Sequence, residues 1–315
     1  MALPLSPTVE PQLALSRKAL PAGEGWHYEP KLDGFRCLAF VDGEELFLQS
    51  RNGRPLQRYF PELRFPSGRL VLDGEIVLRG EDGHENFDGL QQRIHPARSR
   101  IERLAAETPT VFVAFDLLAL GDDSWLERPF AERRSGLLAL DVAGHPVELM
   151  TATDELAGAE HWLRDAEGVI AKERDAPYRP GERRGMVKVK RVRTIDAVVV
   201  GWRPGKEPDT VGALIIGLYD GDELRVVGHT SSFTAAEKRR LVGFLAPYET
   251  GNRGSGAASR WTSGRDLEWV SLRPELVIEV DFDHVSAGRI RHGARLRRWR
   301  EDREPRSCLV DQLAQ

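Results

Sequence analysis

Apolar residues gather in short runs through the first two-thirds of the chain: CLAFVDG at 37–43, LFLQSRNG at 46–53, LVLDGEIVL at 70–78 and VFVAFDLLAL at 111–120. Runs of this length, closed by Gly, Asn or Asp, predict β-strands, and Asn52-Gly53 adds a tight-turn signal. Elsewhere the period lengthens. Residues 99–106 (SRIERLAA), 129–140 (PFAERRSGLLAL) and 154–165 (DELAGAEHWLRD) are each polar on one side and apolar on the other, the spacing of an amphipathic helix. This mixture predicts an α+β fold with antiparallel sheets.

The texture changes after the basic run VKVKRVR, which ends at Arg193. Short strands with Gly-rich turns follow: DAVVVGW at 196–202, ALIIGLYDGDELRVVGH at 213–229 and LVIEVDF at 276–282, interrupted by a helical pattern at 234–246. About five short strands and one helix in about 120 residues predict a small barrel of the oligonucleotide-binding (OB) kind. The expected division is therefore 1–193 and 194–315. Residues 249–266 (ETGNRGSGAASRWTSGRD), rich in Gly, Ser and Arg, predict a mobile loop.

A hydrophobic fraction of 41% with 30% charged residues over 315 positions is that of a soluble globular protein with two domains. The formal net charge of −4 points to no polyanion for the chain as a whole, so local charge must carry that argument. Cys37 and Cys308 are too few for a disulfide framework and lack the paired spacing of a zinc site; a reducing cytoplasm is expected. Prolines interrupt the N-terminal segment where a signal peptide needs an apolar core, and no stretch approaches the roughly 20 apolar residues of a membrane span.

Candidate chemistry centres on Glu29-Pro30-Lys31-Leu32-Asp33-Gly34-Phe35-Arg36, where a lysine closes a predicted strand before an Asp-Gly turn and a second cation. By itself this also reads as a hairpin turn with solvated charges. It resembles the K-x-D-G-x-R element of the covalent nucleotidyltransferases, whose lysine attacks the α-phosphate of a nucleotide. Five further elements follow in the order found in ATP-dependent DNA ligases and their capping-enzyme relatives. They are Ser50-Arg51-Asn52-Gly53, Leu72-Asp73-Gly74-Glu75, Ala114-Phe115-Asp116-Leu117, Glu167-Gly168-Val169-Ile170 and Val187-Lys188-Val189-Lys190. The resemblance so far spans residues 29–190.

A lysine with a free pKa of roughly 10.4 is protonated at neutral pH and is no nucleophile. Nearby cations such as Arg36, Lys188 and Lys190, with bound Mg²⁺ and partial burial, would favour its neutral form while neutralising a triphosphate. Lys188 and Lys190 also fit one face of a solvated edge strand. Glu75 and Glu167 lie on apolar runs where an unpaired charge is costly, so each needs a partner. One possibility is a structural ion pair with Arg51 or a lysine. The resemblance implies another: ribose hydroxyls for Glu75, and a divalent cation, Mg²⁺ or Mn²⁺, for Glu167 with Glu75 in attendance. Phe115 reads as core on its pattern, whereas the resemblance implies stacking on adenine. It further implies that Glu29 lies near the adenine amino group and favours ATP over GTP, and that Arg36 and Arg51 contact phosphate.

Between Arg289 and Arg300 lie six arginines (Arg289, Arg291, Arg295, Arg297, Arg298, Arg300), Trp299 and no acid. This is either a footprint for DNA phosphates or a solvated charged face. Arg300-Glu301-Asp302-Arg303 resembles the last ligase motif, R-x-D-K, whose aspartate and final cation orient the leaving pyrophosphate; arginine replaces the usual lysine at Arg303, and the two are not interchangeable.

The resemblance covers nearly the whole chain and is closest to the two-domain bacterial ligases of the actinobacterial ligase C type, with the ligase module of ligase D near. It implies a nucleotidyltransferase domain followed by an OB-fold domain, and a monomer that seals breaks in duplex DNA through a lysyl-AMP intermediate. A Ku-like end-binder or a repair polymerase is the implied partner. The absence of a cysteine-based zinc module favours ATP over NAD. An RNA ligase or capping enzyme, or a non-catalytic DNA-end-binding module, is the alternative.

Overall fold

The structure is a computed structural model that describes residues 3–81, 83–256, 267–283, 285–286, 288–291 and 293–314. The chain separates into two compact units, Met1–Arg191 and Val192–Gln315.

Two sheets build the first unit. The strands in chain order are β1 (Leu15–Ser16), β2 (Trp26–Pro30), β3 (Phe35–Asp42), β4 (Glu45–Ser50), β5 (Arg69–Val77), β6 (Val111–Leu120), β7 (Asp123–Ser124), β8 (Val147–Leu149), β9 (Gly168–Glu173) and β10 (Met186–Lys190). The larger sheet runs β4-β3-β5-β6-β7, with β8 alongside β6. Its central strands are apolar at nearly every position because both faces are covered. On β3, Cys37, Ala39 and Val41 enter one core cluster, while Leu38 and Phe40 enter another on the opposite face.

The smaller sheet runs β1-β10-β9-β2. Tyr28, Ala171, Val187 and Val189 form its core with Ala159 of a flanking helix, which leaves Lys188 and Lys190 on the other face of β10. Because β1 pairs with β10 on the side away from β9, those lysines do not sit on a bare edge strand.

Helices α1 (Phe87–Gln91), α2 (Arg98–Glu107), α3 (Phe130–Leu138) and α4 (Leu156–Asp165) complete the unit, the last three where the periodicity predicts them. Between α3 and the large sheet lies a buried, two-pronged ion pair: Arg133 Nε and a terminal nitrogen donate to Asp116 at 2.8 and 2.9 Å.

The second unit contains β11 (Arg193–Pro204), β12 (Val211–Asp220), β13 (Glu223–Thr230), α5 (Ala235–Leu245), β14 (Glu249–Gly256), β15 (Leu267–Leu272), β16 (Val277–Phe282), β17 (Val285–Ser286), β18 (Arg289–Ile290) and β19 (Arg295–Trp299). Seven of these strands form one antiparallel sheet. Its long first strand β11 pairs with β12 along one side and with β16 and then β15 along the other, which curls the sheet around its apolar face as in OB folds. A capping box opens α5: Thr234 accepts from the Glu237 backbone, and Glu237 accepts from the Thr234 backbone.

The mobile-loop expectation for 249–266 is corrected over its first half. Glu249–Gly256 is a strand paired with β15; residues 257–266 lie outside the described residues. Glycine here serves the strand as well as its turn: Gly251 takes a positive φ of 78°, while Gly254 serves packing. A Cβ on Gly254 would lie 2.3 Å from the Trp269 indole, so only glycine lets the strand pass that ring.

Candidate active site

Lys31 follows β2 directly, and its backbone N–H donates to the Gly168 carbonyl at 2.9 Å, tying the nucleophile candidate to β9. The next turn must be tight: a Cβ on Gly34 would come within 2.3 Å of the Ile76 carbonyl. The Lys31 ammonium forms an ion pair with Glu167, in a half-buried position. Glu167 is thus partnered by a lysine, as one of the two sequence readings required.

Arg36 is fixed from below. Its Nε and one terminal nitrogen each lie 2.6 Å from Asp73, and its guanidinium sits 4.5 Å from the Phe115 ring centroid. Asp73 is fully buried and also accepts from the Tyr178 hydroxyl at 2.7 Å, while that hydroxyl accepts from the Gln12 backbone at 2.8 Å. Burial works against the Arg36 charge, but Asp73 outweighs it and holds Arg36 above its ordinary value. Arg36 is therefore a permanent cation whose direction is set by a carboxylate. Burial also pushes Glu75 up to about 7, against the pull of Arg36 and Lys31. Lys188 is lowered, first by burial and then by Lys190, Lys31, Arg51 and Arg183.

Lys31, Arg36, Glu75 and Lys188 line a cavity of about 190 Å³ whose walls also include the apolar Phe115, Met150, Ile170 and Met186. In the same lining Glu29, almost wholly buried, receives Lys172 Nζ at 2.9 and 2.8 Å on its two oxygens. Lys172 also donates to the Phe115 carbonyl at 3.0 Å and lies 4.5 Å from that ring. Phe115 is at once core and wall: only 7% exposed, yet lining the cavity. The sequence reading missed Lys172, Asp73 and Tyr178. A signal existed for Lys172, the one cation of β9 and preceded there by apolar residues, since such a lysine must find an acid across the sheet.

Profiles of known families match both segments: that of the ATP dependent DNA ligase domain over residues 11–190, and that of the ATP dependent DNA ligase C terminal region over residues 207–303. The chain belongs to the ATP-dependent DNA ligases. DNA ligase C of Mycobacterium tuberculosis is 44% identical to this ligase, over 99% of the chain and 96% of that protein. DNA ligase C1 of Mycolicibacterium smegmatis is 46% identical with the same coverage. The multifunctional non-homologous end joining protein LigD of M. smegmatis is 33% identical over 89% of the chain, which matches 36% of that longer protein. Among solved structures, the ligase domain of M. tuberculosis LigD superposes with a TM-score of 0.53 at 27% identity, covering 96% of this chain and 98% of that one.

In the second unit of the ligase, the arginine run proves less free than its sequence. Within the run there is no acid, but neighbouring strands supply them. Arg298 pairs with Glu279 at 2.7 Å, and Arg297 pairs with Glu279 at 3.2 Å and Asp281 at 3.0 Å. Arg300 pairs with Asp196 and Asp302, each at 2.8 Å, and Arg303 reaches Asp196 at 3.3 Å. The hydrogen bond from Arg300 is the main reason Asp302 is lowered to about 2. Arg289 and Arg295 are exposed.

No cluster of three or more His, Cys, Asp or Glu side chains able to hold a metal occurs among the described residues. Mg²⁺ keeps its waters and binds through one or two carboxylates plus substrate phosphates. The carboxylates nearest Lys31 in this sense are Glu167, its ion-pair partner, and Glu75 in the cavity lining. No helix among the described residues is long and apolar enough to cross a membrane.

Proposed function

We propose that Lys31 carries the AMP in this ligase, and that the cavity above it holds the nucleotide with its base at the Glu29–Lys172 end. The observation that supports this is one cavity lined by Lys31, a buried carboxylate paired with Lys172, and the Phe115 ring. Adenine would stack on Phe115, with Glu29 accepting from its amino group. Glu75 would accept from the ribose hydroxyls, for which it must be ionised. Arg51, Lys188 and Lys190 would face the phosphates, while Arg36, pinned by Asp73, offers a fixed charge beside the base and ribose.

Three in-line transfers follow. The Lys31 amine attacks the α-phosphorus as the bond to pyrophosphate breaks; the DNA 5′-phosphate then displaces the lysine; finally the 3′-hydroxyl displaces AMP. Mg²⁺ or Mn²⁺, when bound, supplies charge neutralisation at the triphosphate, and Glu167 with Glu75 would hold it. Glu167 cannot serve Lys31 and a cation at once. Its ion pair must open before the amine can attack, which couples nucleotide loading to release of the nucleophile.

The substrate is proposed to be a broken duplex in end-joining repair, supported by the likeness to LigD, with a Ku-like end-binder or a repair polymerase delivering the break. Labelling with ATP and, separately, GTP tests the pocket. Lys31→Ala should abolish the acid-labile adenylate while leaving duplex binding in place, since one charge among many is lost. Persistent labelling would remove Lys31 from its role, and labelling by GTP would remove Glu29. Sealing of nicked, gapped and ribonucleotide-bearing duplexes, with and without an end-binding protein, tests the substrate.

A further inference from the structure

In the second unit, one group of basic side chains has no carboxylate partner among the described residues. Arg203 near the end of β11 and His229 on β13 share one face of the curled sheet, and Arg289 on β18 is near enough for its charge to act on both. The register accounts for two of them: Gly201 and His229 both pair with Ile215, and Arg203 pairs with Ala213. By alternation, Arg203 and His229 therefore project to the same side, over the small Ala213. Ile290 packs on Gly228, where an added Cβ would stand 3.1 Å from its side chain, and this holds the β18 hairpin against β13.

The electrostatics are those of a site built for an anion. His229 lies below its ordinary value, first through burial and then through Arg203 and Arg289. Arg203 is lowered by burial and then by Arg289. Its Nε is shut off from solvent and has no hydrogen-bond partner among the described residues. Elsewhere in this unit Glu279, Asp281 and Asp196 answer the arginines; here like charges are held together with a donor unmet.

We propose that Arg203, His229 and Arg289 form a binding site for one backbone phosphodiester of the DNA substrate. The ligase reading supplies the identity of the polyanion. Two guanidinium forks can engage one phosphate, and the anion replaces mutual repulsion with attraction. The groups facing His229 are Arg203 from β11 and Arg289 from β18, both of which oppose its protonation; a bound anion offsets them, and His229 then takes up a proton.

The test uses the full chain and a dye-labelled nicked duplex, with affinity followed against salt. Arg203→Gln and Arg289→Gln should each weaken binding roughly threefold and reduce the slope of log affinity against log salt by about one. Arg203→Lys should keep the slope. Labelling of Lys31 by ATP needs no DNA and reports that each variant is folded; failure of the wild-type chain to label would count against the ligase reading, not this site. In the wild-type chain, the His229 ring resonance should move towards its protonated position on adding the nicked duplex, and should not move with inorganic phosphate at equal phosphate concentration. An unchanged slope in the folded double variant, or a His229 signal indifferent to DNA, overturns the proposal. An equal response to inorganic phosphate overturns it too, by making this a small-anion site. Should the variants fail to fold, the His229 measurement decides alone.

Discussion

Lys172 holds Glu29, the carboxylate proposed to face the base, and its removal would strand Glu29 in a nearly dry site. Breaking a buried ion pair from one side costs about 3–5 kcal/mol, mostly the penalty of the charge left behind. Lys172→Met should therefore lower stability by that order in urea titration, and Glu29→Gln added to it should recover much of the loss. Additive losses would show that the pair is not coupled. Glu75 yields a pH-dependent expectation. Burial raises its folded pKa from 4.5 to about 7, so in that window the native state binds more protons than the unfolded chain. Its contribution is complete below 4.5 and is lost as pH rises through about 7. Without nucleotide, the wild-type melting temperature should fall relative to Glu75→Gln across this range and level off above it. A constant difference would mean Glu75 ionises normally, leaving it ready for ribose at any pH well above 4.5.

At the scale of elements, strand β16 sets how much of the arginine run can reach DNA. Glu279 holds Arg298 and Arg297, and Arg298 is the chief reason its carboxyl is lowered. These pairs are at the surface, where such contacts contribute about 0–1 kcal/mol to stability. Glu279→Gln should thus leave the fold intact and free Arg298, with Arg297 still held by Asp281, tightening duplex binding at low salt with a steeper salt dependence. Unchanged affinity would place β19 away from the DNA. The same pairing marks what the sequence could not tell. A run such as 289–300 displays its own charges but not those of the strand beside it, because register is a tertiary property. Local signals fared better: helices α2 to α5 and strands β3, β5 and β6 follow their periodicity. Glycine was ambiguous in the same way as charge. At Asn52-Gly53 it marks a turn with φ +73°, but at Gly254 it marks the passage of a strand over a tryptophan. The motif order located Lys31, Glu167 and Glu75, whereas Asp73 and Tyr178, which aim Arg36, carry no chemistry of their own and stood out only once buried together.

For the whole molecule, the residues proposed for the reaction are shared between the two units. Lys31, Glu167 and the base pocket all belong to the first unit, whereas Arg300, Asp302 and Arg303 belong to the second. If the second set orients the leaving pyrophosphate, it matters while ATP is consumed and at no later step, because no pyrophosphate remains once the adenylate has formed. Arg300 is anchored by Asp196, Asp302 and Glu279, so its loss would also disturb the sheet. Arg303 is the cleaner probe, half exposed and paired with Asp196. In the full chain, Arg303→Ala should slow self-adenylation by roughly 10²-fold, the order seen when one donor to a developing charge is removed. Sealing of a nick that already carries AMP should continue near the wild-type rate. Arg303→Lys, which restores the residue common in the family, should recover most of the first step. Single-turnover rates on ATP and on the pre-adenylated nick separate the cases: equal losses on both would assign Arg303 to DNA contact or to the fold, whereas a loss confined to ATP would fix it on the leaving group.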